Sequence, residues 1–226
     1  MSGKVLTGHN TVFGTNRHMD SHIFNVGVDK VGPGKLTGYA YLLDFDPGDG
    51  LDSQTYGIRY KGEIESSENL TWLYTAEYAH QSDYSESGDF DADYGLVEAG
   101  VKINKTTFKI GYEHLGSDNG NAAFQTPLAT LHAFNGWADK FLNTPDTGLE
   151  DVYIQASTWV AGVKLIATYH DFTEDQGSSH FGNEIDLVAV KKFGKYYKVG
   201  AKYAYYDADD FATDTQKVWI FGSVSF

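Results

Sequence analysis

Val218-Trp219-Ile220-Phe221-Gly222-Ser223-Val224-Ser225-Phe226 ends the chain, and its two interleaved sets of side chains decide the fold. Val218, Ile220, Gly222, Val224 and Phe226 fall on one face of an extended segment, and Trp219, Phe221, Ser223 and Ser225 fall on the other. Side chains of a strand point alternately to opposite sides, so this period marks a strand with one apolar face.

The same period recurs upstream. Tyr197, Val199, Ala201, Tyr203 and Tyr205 alternate with Lys198, Gly200, Lys202 and Ala204. Val163, Leu165, Ala167 and Tyr169 alternate with Lys164, Ile166, Thr168 and His170; Leu70, Trp72, Tyr74, Ala76 and Tyr78 alternate with Thr71, Leu73, Thr75 and Glu77. Strands are expected at 22–29, 35–45, 54–62, 69–79, 94–103, 105–115, 150–159, 161–171, 183–192, 196–206 and 215–226, with a weaker one at 3–8, about twelve in all. Their connections alternate between tight turns (Val31–Gly34, Asn104-Lys105, Val160-Ala161, Phe193-Gly194) and longer acidic segments such as Asp46–Asp52, Asp83–Asp93, Asp171–Asp175 and Asp207–Asp214.

Composition narrows the class. The 226 residues contain no cysteine, which excludes disulfides and thiolate metal sites. A net charge of -14 with no dense basic patch argues against a nucleic-acid partner. No apolar run reaches the roughly 18 residues of a membrane-spanning helix. Aromatic residues nevertheless make up 15% of the chain, with 16 Tyr and 14 Phe. Membrane β-barrels use such residues as girdles at both interfaces, keep an even strand number, and pair short turns on one side with long loops on the other. A mean hydropathy of -0.38 fits, because half of every spanning strand faces a polar interior. A soluble sandwich or solenoid explains the alternation equally well, but explains less well the Tyr and Trp on the apolar faces and the alternating turn lengths. The expected fold is an all-β antiparallel transmembrane barrel forming a single domain over 1–226, with one long helix-containing loop at 116–150.

The closing strand, ending on Phe226, resembles that of bacterial outer-membrane β-barrels. The resemblance implies outer-membrane lipid as surroundings and a terminal aromatic read by the barrel-insertion machinery. Met1-Ser2-Gly3-Lys4 does not lead into the apolar run of a secretory leader, so a processed form, a form re-engineered for expression, or part of a longer chain is expected.

Within 116–150 the chain reads Phe124-Gln-Thr-Pro-Leu-Ala-Thr-Leu-His132 and Asn135-Gly-Trp-Ala-Asp-Lys-Phe-Leu142, followed by Gly148-Leu-Glu-Asp151. Together with Arg17-His-Met-Asp-Ser-His22 and Gly38-Tyr-Ala-Tyr-Leu-Leu-Asp-Phe-Asp46, these stretches resemble the alginate-export family of outer-membrane β-barrels, and in particular its C-terminal portion. That resemblance implies passive passage of hydrophilic solutes through a channel, with an anionic saccharide such as a polyuronate as the solute.

Read by its own residues, the loop starts with a cap-and-first-turn pair, Thr126-Pro127. Leu131, Phe134, Ala138 and Phe141 then follow at helical spacing. A short amphipathic helix is expected, with Phe124, Leu131, His132, Phe134, Trp137, Asp139, Lys140 and Phe141 forming a constriction in the lumen or at the rim. The polar strand faces supply a candidate charge track of Arg59, Lys61, Lys109, Lys164, Lys198 and Lys202, interspersed with Glu77, Glu98 and Glu113, and also Glu184 and Asp186. Rings of charge of this kind set pore selectivity, although cross-strand pairing would also account for them.

Other chemistry is weakly signalled. Of the histidines, only His18 and His22 have ligand-like spacing, and they sit at a strand entry; no metal or cofactor is expected. Asp46–Asp52 offers oxygen ligands but lacks the closing Glu of a calcium loop. Ser178 and Ser179 near His180 belong to no nucleophile motif, so no enzyme is expected.

Overall fold

The computed structural model describes residues 2–6, 16–45, 52–84, 89–130 and 132–226. Leu131, His9 and all of the 46–52 segment but Asp52 lie outside them. The elements in chain order are β1 (Ser2–Leu6), β2 (Asn16–Val31), β3 (Gly34–Phe45), β4 (Ser53–Ser67), β5 (Leu70–Ser82), β6 (Asp91–Ile103), β7 (Thr106–Leu115), β8 (Ser117–Asp118), β9 (Ala122–Ala123), β10 (Leu149–Val160), β11 (Val163–Thr173), β12 (His180–Phe193), β13 (Tyr197–Ala208) and β14 (Thr215–Val224). Twelve of them form one antiparallel sheet whose spatial order follows the sequence, with β7 beside β10; β8 and β9 form a small ribbon of their own.

Cross-strand register sorts the side chains. Ile110 lies opposite both Ala99 and Ile154, Ile154 opposite Tyr169, and Tyr169 opposite Ile185. These residues, with Ile58, Val97, Val152, Val218 and Ile220, are exposed, which makes this face a continuous apolar surface of Ile, Val, Leu and Tyr. No second layer covers it among the described residues. The opposite face carries the polar residues and the buried cluster of Ala79, Leu115, Phe124, Phe141, Phe172, Phe181 and Tyr206.

A collar of tyrosines marks one edge of the apolar face. Tyr78 donates to Asp93 (2.8 Å), Tyr112 to Glu150 (2.6 Å), Tyr169 to Asn183 (2.8 Å) and Tyr56 to Gln54 (3.2 Å). Tyr78 lies opposite Ile58, Tyr112 opposite Val97 and Val152, and Tyr169 opposite Ile154 and Ile185, while their hydroxyls reach polar groups, the arrangement expected of an interfacial aromatic. Along β13, Tyr205 to Tyr197 spans roughly 27 Å of strand at about 3.4 Å per residue. Tilted by about 40° this is roughly 20 Å of height, close to a barrel's apolar band.

Several expectations need correction. The tight turn expected at Val160-Ala161 is centred on Ala161 and Gly162, because both central residues of the hairpin take positive φ (50° and 77°), which glycine tolerates and Val160 would resist. The turn expected at Phe193-Gly194 runs through Gly194–Tyr196, since Phe193 still pairs with Tyr197. The expected closed barrel is, among the described residues, a sheet with two edges, β1 and β14. β1 has five residues and β14 has ten, so β1 could satisfy only part of the other edge.

The long loop holds turns and the β8–β9 ribbon, and no helix among its described residues. Ala129 N donates to Thr126 O (3.0 Å), so Thr126-Pro127 begins one turn. Asn135, Gly136 and Asp139 then take φ of 50°, 84° and 60°, which no right-handed helix accommodates. The amides of Trp137 and Ala138 point to carboxylates on β12 instead of to carbonyls four residues back.

Candidate functional site

The residues expected to line a lumen share the face that carries the loop. Glu77 on β5 accepts a bond from Tyr39 (2.8 Å) and lies 3.4 Å from Arg59 Nε. Glu98 takes Lys109 Nζ and Tyr153 OH, both at 2.9 Å. Glu113 takes Tyr94 OH at 2.6 Å and Asn135 Nδ2 at 2.9 Å. Lys61, Lys164 and Lys198, among the described residues, form no ion pair. Carboxylates cluster where the loop sits, with Glu113, Asp151, Glu184 and Asp186 each accepting from it.

The loop is fixed on this face by three kinds of contact. Its backbone is held by acids: Trp137 N donates to Asp186 Oδ2 at 3.1 Å and Ala138 N to Glu184 Oε1 at 2.6 Å. Gly136 is required there, since a Cβ would collide with the Glu184 carboxylate. Its aromatic anchor is Phe141, whose ring centroid lies 4.5 Å from Phe172, 5.3 Å from Phe211 and 5.9 Å from Phe181. Burying such a ring stabilises by about 1.5–3 kcal/mol relative to leaving it in water. Its charged strip is a chain in which Asp139 bonds His132 Nδ1 and Lys217 Nζ, each at 2.6 Å, while Lys202 Nζ lies 3.1 Å from His132 Nε2 and 4.3 Å from the centre of the Trp137 ring.

Of the expected constriction residues, Phe124 packs on Tyr94 (5.2 Å) and Lys140 sits 5.5 Å over the ring of Tyr206. Burial holds the Lys140 ammonium below its ordinary pKa, and Lys217 nearby adds to this. Phe134 is exposed, and Leu131 lies outside the described residues. Sequence reasoning missed the parts of Asn135, Gln81 and Gln125. Gln81 Nε2 donates to Thr55 Oγ1 and Gln125 O, and its Oε1 accepts from Gln125 N; Gln125 in turn clasps the backbone of Thr144. Asn135-Gly136 was a readable turn dipeptide. The glutamines gave no comparable signal.

A recess of about 450 Å³ opens beside this network, lined by Lys35, Tyr39, Tyr41, Arg59, Lys61 and Glu77. Tyr39 and Tyr41 stack with centroids 5.0 Å apart. Of the three cations in its wall, Arg59 is paired with Glu77 and Lys35 with Asp29, and Lys61 forms no ion pair among the described residues.

Comparison with solved structures shows which fold this is. OccAB4 of Acinetobacter baumannii matches with a TM-score of 0.70 at 12% identity, over 95% of this chain and 56% of that one. The outer membrane protein OprD of Pseudomonas aeruginosa matches with a TM-score of 0.66 at 11% identity, over 93% of this chain and 64% of that one. OccK11 (OpdR) of Pseudomonas aeruginosa matches at 0.64 and 14%, over 93% and 66%. The fold is that of outer-membrane β-barrel porins, and this chain spans between 56% and 66% of the length of these three relatives. No family profile matches the sequence, and no curated protein is significantly similar to it.

Proposed function

We propose that the chain forms a porin-like channel in the bacterial outer membrane, through which hydrophilic solutes pass by diffusion. One observation carries this reading. A single sheet exposes a continuous apolar face edged by tyrosines, while its other face is polar, charged and crossed by an inserted loop. Lipid suits the first face and a water-filled lumen the second. The loop at 116–150 acts as the constriction, and Arg59, Lys61, Lys109, Lys164, Lys198 and Lys202 with Glu77, Glu98 and Glu113 form the charge track.

The finer reading is an anionic saccharide. It is supported by the recess around Arg59 and Lys61, where a carboxylate can meet cations while a sugar ring lies against Tyr39 and Tyr41. Within that class, a polyuronate follows from the resemblance to the alginate-export family. A second reading, a plugged barrel with a structural role, is favoured by the density of contacts holding the loop.

Single-channel recording in planar bilayers separates the two. Steady openings are expected, with an anion preference that falls in Arg59→Gln and Lys61→Gln. Deleting 124–142 is expected to raise conductance; an unchanged conductance refutes the constriction. Silence from inserted protein that becomes conductance on deletion establishes the plugged reading, and silence from both sinks the channel.

A further inference from the structure

Three histidines project from the apolar side of the sheet at the level of the tyrosine collar or beyond it, each beside two acids, and one of them behaves differently. His80 Nδ1 lies 2.9 Å from Asp93, and its Nε2 lies 3.5 Å from Asp91. His180 bridges Asp171 at 2.8 Å and Asp209 at 3.0 Å. His114 stands off instead: its Nδ1 is 3.8 Å from Glu150 Oε1 and 3.8 Å from Asp175 Oδ1. That nitrogen is buried and has no hydrogen-bond partner. A buried ring nitrogen left unpaired costs free energy, and an imidazole free to turn towards its acids would close to hydrogen-bonding distance, as His80 and His180 do.

We propose that His114, Glu150 and Asp175 form a binding site for a first-row divalent cation, Zn²⁺ above all. The three ligand atoms lie within 4.8 Å of one another. A tetrahedral zinc with bonds of about 2.0 Å separates its ligands by about 3.3 Å, so each of the two His114–carboxylate distances needs to close by about half an ångström and the carboxylate pair by no more than about 1.5 Å. Two carboxylates and a neutral imidazole balance a divalent charge. The nitrogen ligand favours zinc and its neighbours in the series over calcium or magnesium, which prefer oxygen alone.

The surroundings fix the ligands. Tyr112 OH donates to Glu150 Oε1 at 2.6 Å and Thr173 Oγ1 to Glu150 Oε2 at 3.3 Å, while Ser117 N donates to Asp175 Oδ2 at 2.9 Å, leaving Oδ1 for the centre. Such outer partners orient first ligands and sharpen affinity. The residue after next to His114 on the chain is Gly116, and a Cβ there would come 2.9 Å from His114 Nε2. The site joins β7, β10 and the connection after β11, at both roots of the long loop, so an ion here ties the loop's ends together on the outside of the wall.

The test is equilibrium dialysis of the full refolded chain, in detergent, against Zn²⁺ with Ca²⁺ as competitor. About one Zn²⁺ per chain is expected, not displaced by equal Ca²⁺, with affinity falling about tenfold or more in His114→Gln and in Asp175→Asn and unchanged in His180→Gln. Asp175 lies on a connection and not in a strand, so its variant keeps the test decisive if His114→Gln does not refold. Zn²⁺ bound equally by wild type and Asp175→Asn, bound through His180, or not bound saturably, would overturn the proposal.

Discussion

Replacing Glu184 by alanine should release the inserted loop without dismantling the sheet. Glu184 is fully buried and its Oε1 accepts the Ala138 amide at 2.6 Å. Without it, a buried N–H loses its partner, which costs about 2 kcal/mol whatever the protonation state of the carboxyl. At about 1.4 kcal/mol per factor of ten, the undocked population of the loop should rise about 30-fold. The chain contains no cysteine, so a single reporter thiol can be placed without background. Thr144→Cys is suitable because Thr144 is in the same loop, is only 6% exposed, and has its backbone held by Gln125. In folded, detergent-solubilised protein, the thiol should react with a maleimide about 30-fold faster in Glu184→Ala than in the wild-type background, and Glu184→Gln, which keeps a carbonyl acceptor, should stay near wild type. A labelling rate in Glu184→Ala within twofold of wild type, with native circular dichroism, would refute the claim that this carboxylate holds the loop.

Other outcomes follow from the two faces. Ile154 is exposed on the apolar side, so Ile154→Arg should cost about 2–4 kcal/mol in urea unfolding from lipid vesicles, while Gln155→Arg on the polar side should be nearly neutral. Phe226 has its side chain fully exposed, so Phe226→Ala should lower assembly into membranes in cells and leave refolding in detergent unchanged; equal loss in both would assign it a packing role. The Glu174 carboxylate accepts the amides of Ser179 and Ser178, each at 2.7 Å, and these bonds hold its pKa below the ordinary glutamate range. A depressed folded value means the contribution to loop order is complete above the unfolded pKa and lost as pH falls through the folded one. A carbon-13 titration of that carboxyl should show the lowered midpoint, and Ser179→Pro, which removes the first of these donors, should shift it upward.

The strands were legible because their pattern is local. Ile110, Tyr112 and Phe108 alternate with Lys109 and Gly111 whatever lies beside them, and register then places Ile154 and Tyr169 on the same face. The loop misled for the same reason. Phe134, Ala138 and Phe141 repeat every three or four residues, yet what decides the segment's path are partners on β12 and β14: Glu184, which accepts the Ala138 amide, and Lys217, which donates to Asp139, 46 and 78 residues away in sequence. Helical spacing is a weak signal when Asn135, Gly136 and Asp139 interrupt it with residues tolerant of positive φ. The cluster at His114 was hidden by distance along the chain: Glu150 joins it through the β7–β10 register, and Asp175 arrives on a connection whose path no periodicity describes.

The partners of the inserted loop also impose an order of events on the chain's birth. Residues 116–148 are made before Glu184, Asp186, Lys202, Tyr206 and Lys217, each of which must be present before the loop can rest. Contacts spanning 46 to 78 residues form late, after the entropy of closing the intervening chain has been met. The strands β10 to β14 therefore have to pair before the loop at 116–148 can dock on them. Pairing of β14 with β13 delivers Lys217 to Asp139 and Trp219 to His132, so that pairing and the settling of the loop are coupled. A refolded chain truncated before Lys217 would lack the Lys217–Asp139 bond and the Trp219–His132 contact, so its loop should be more open to a protease.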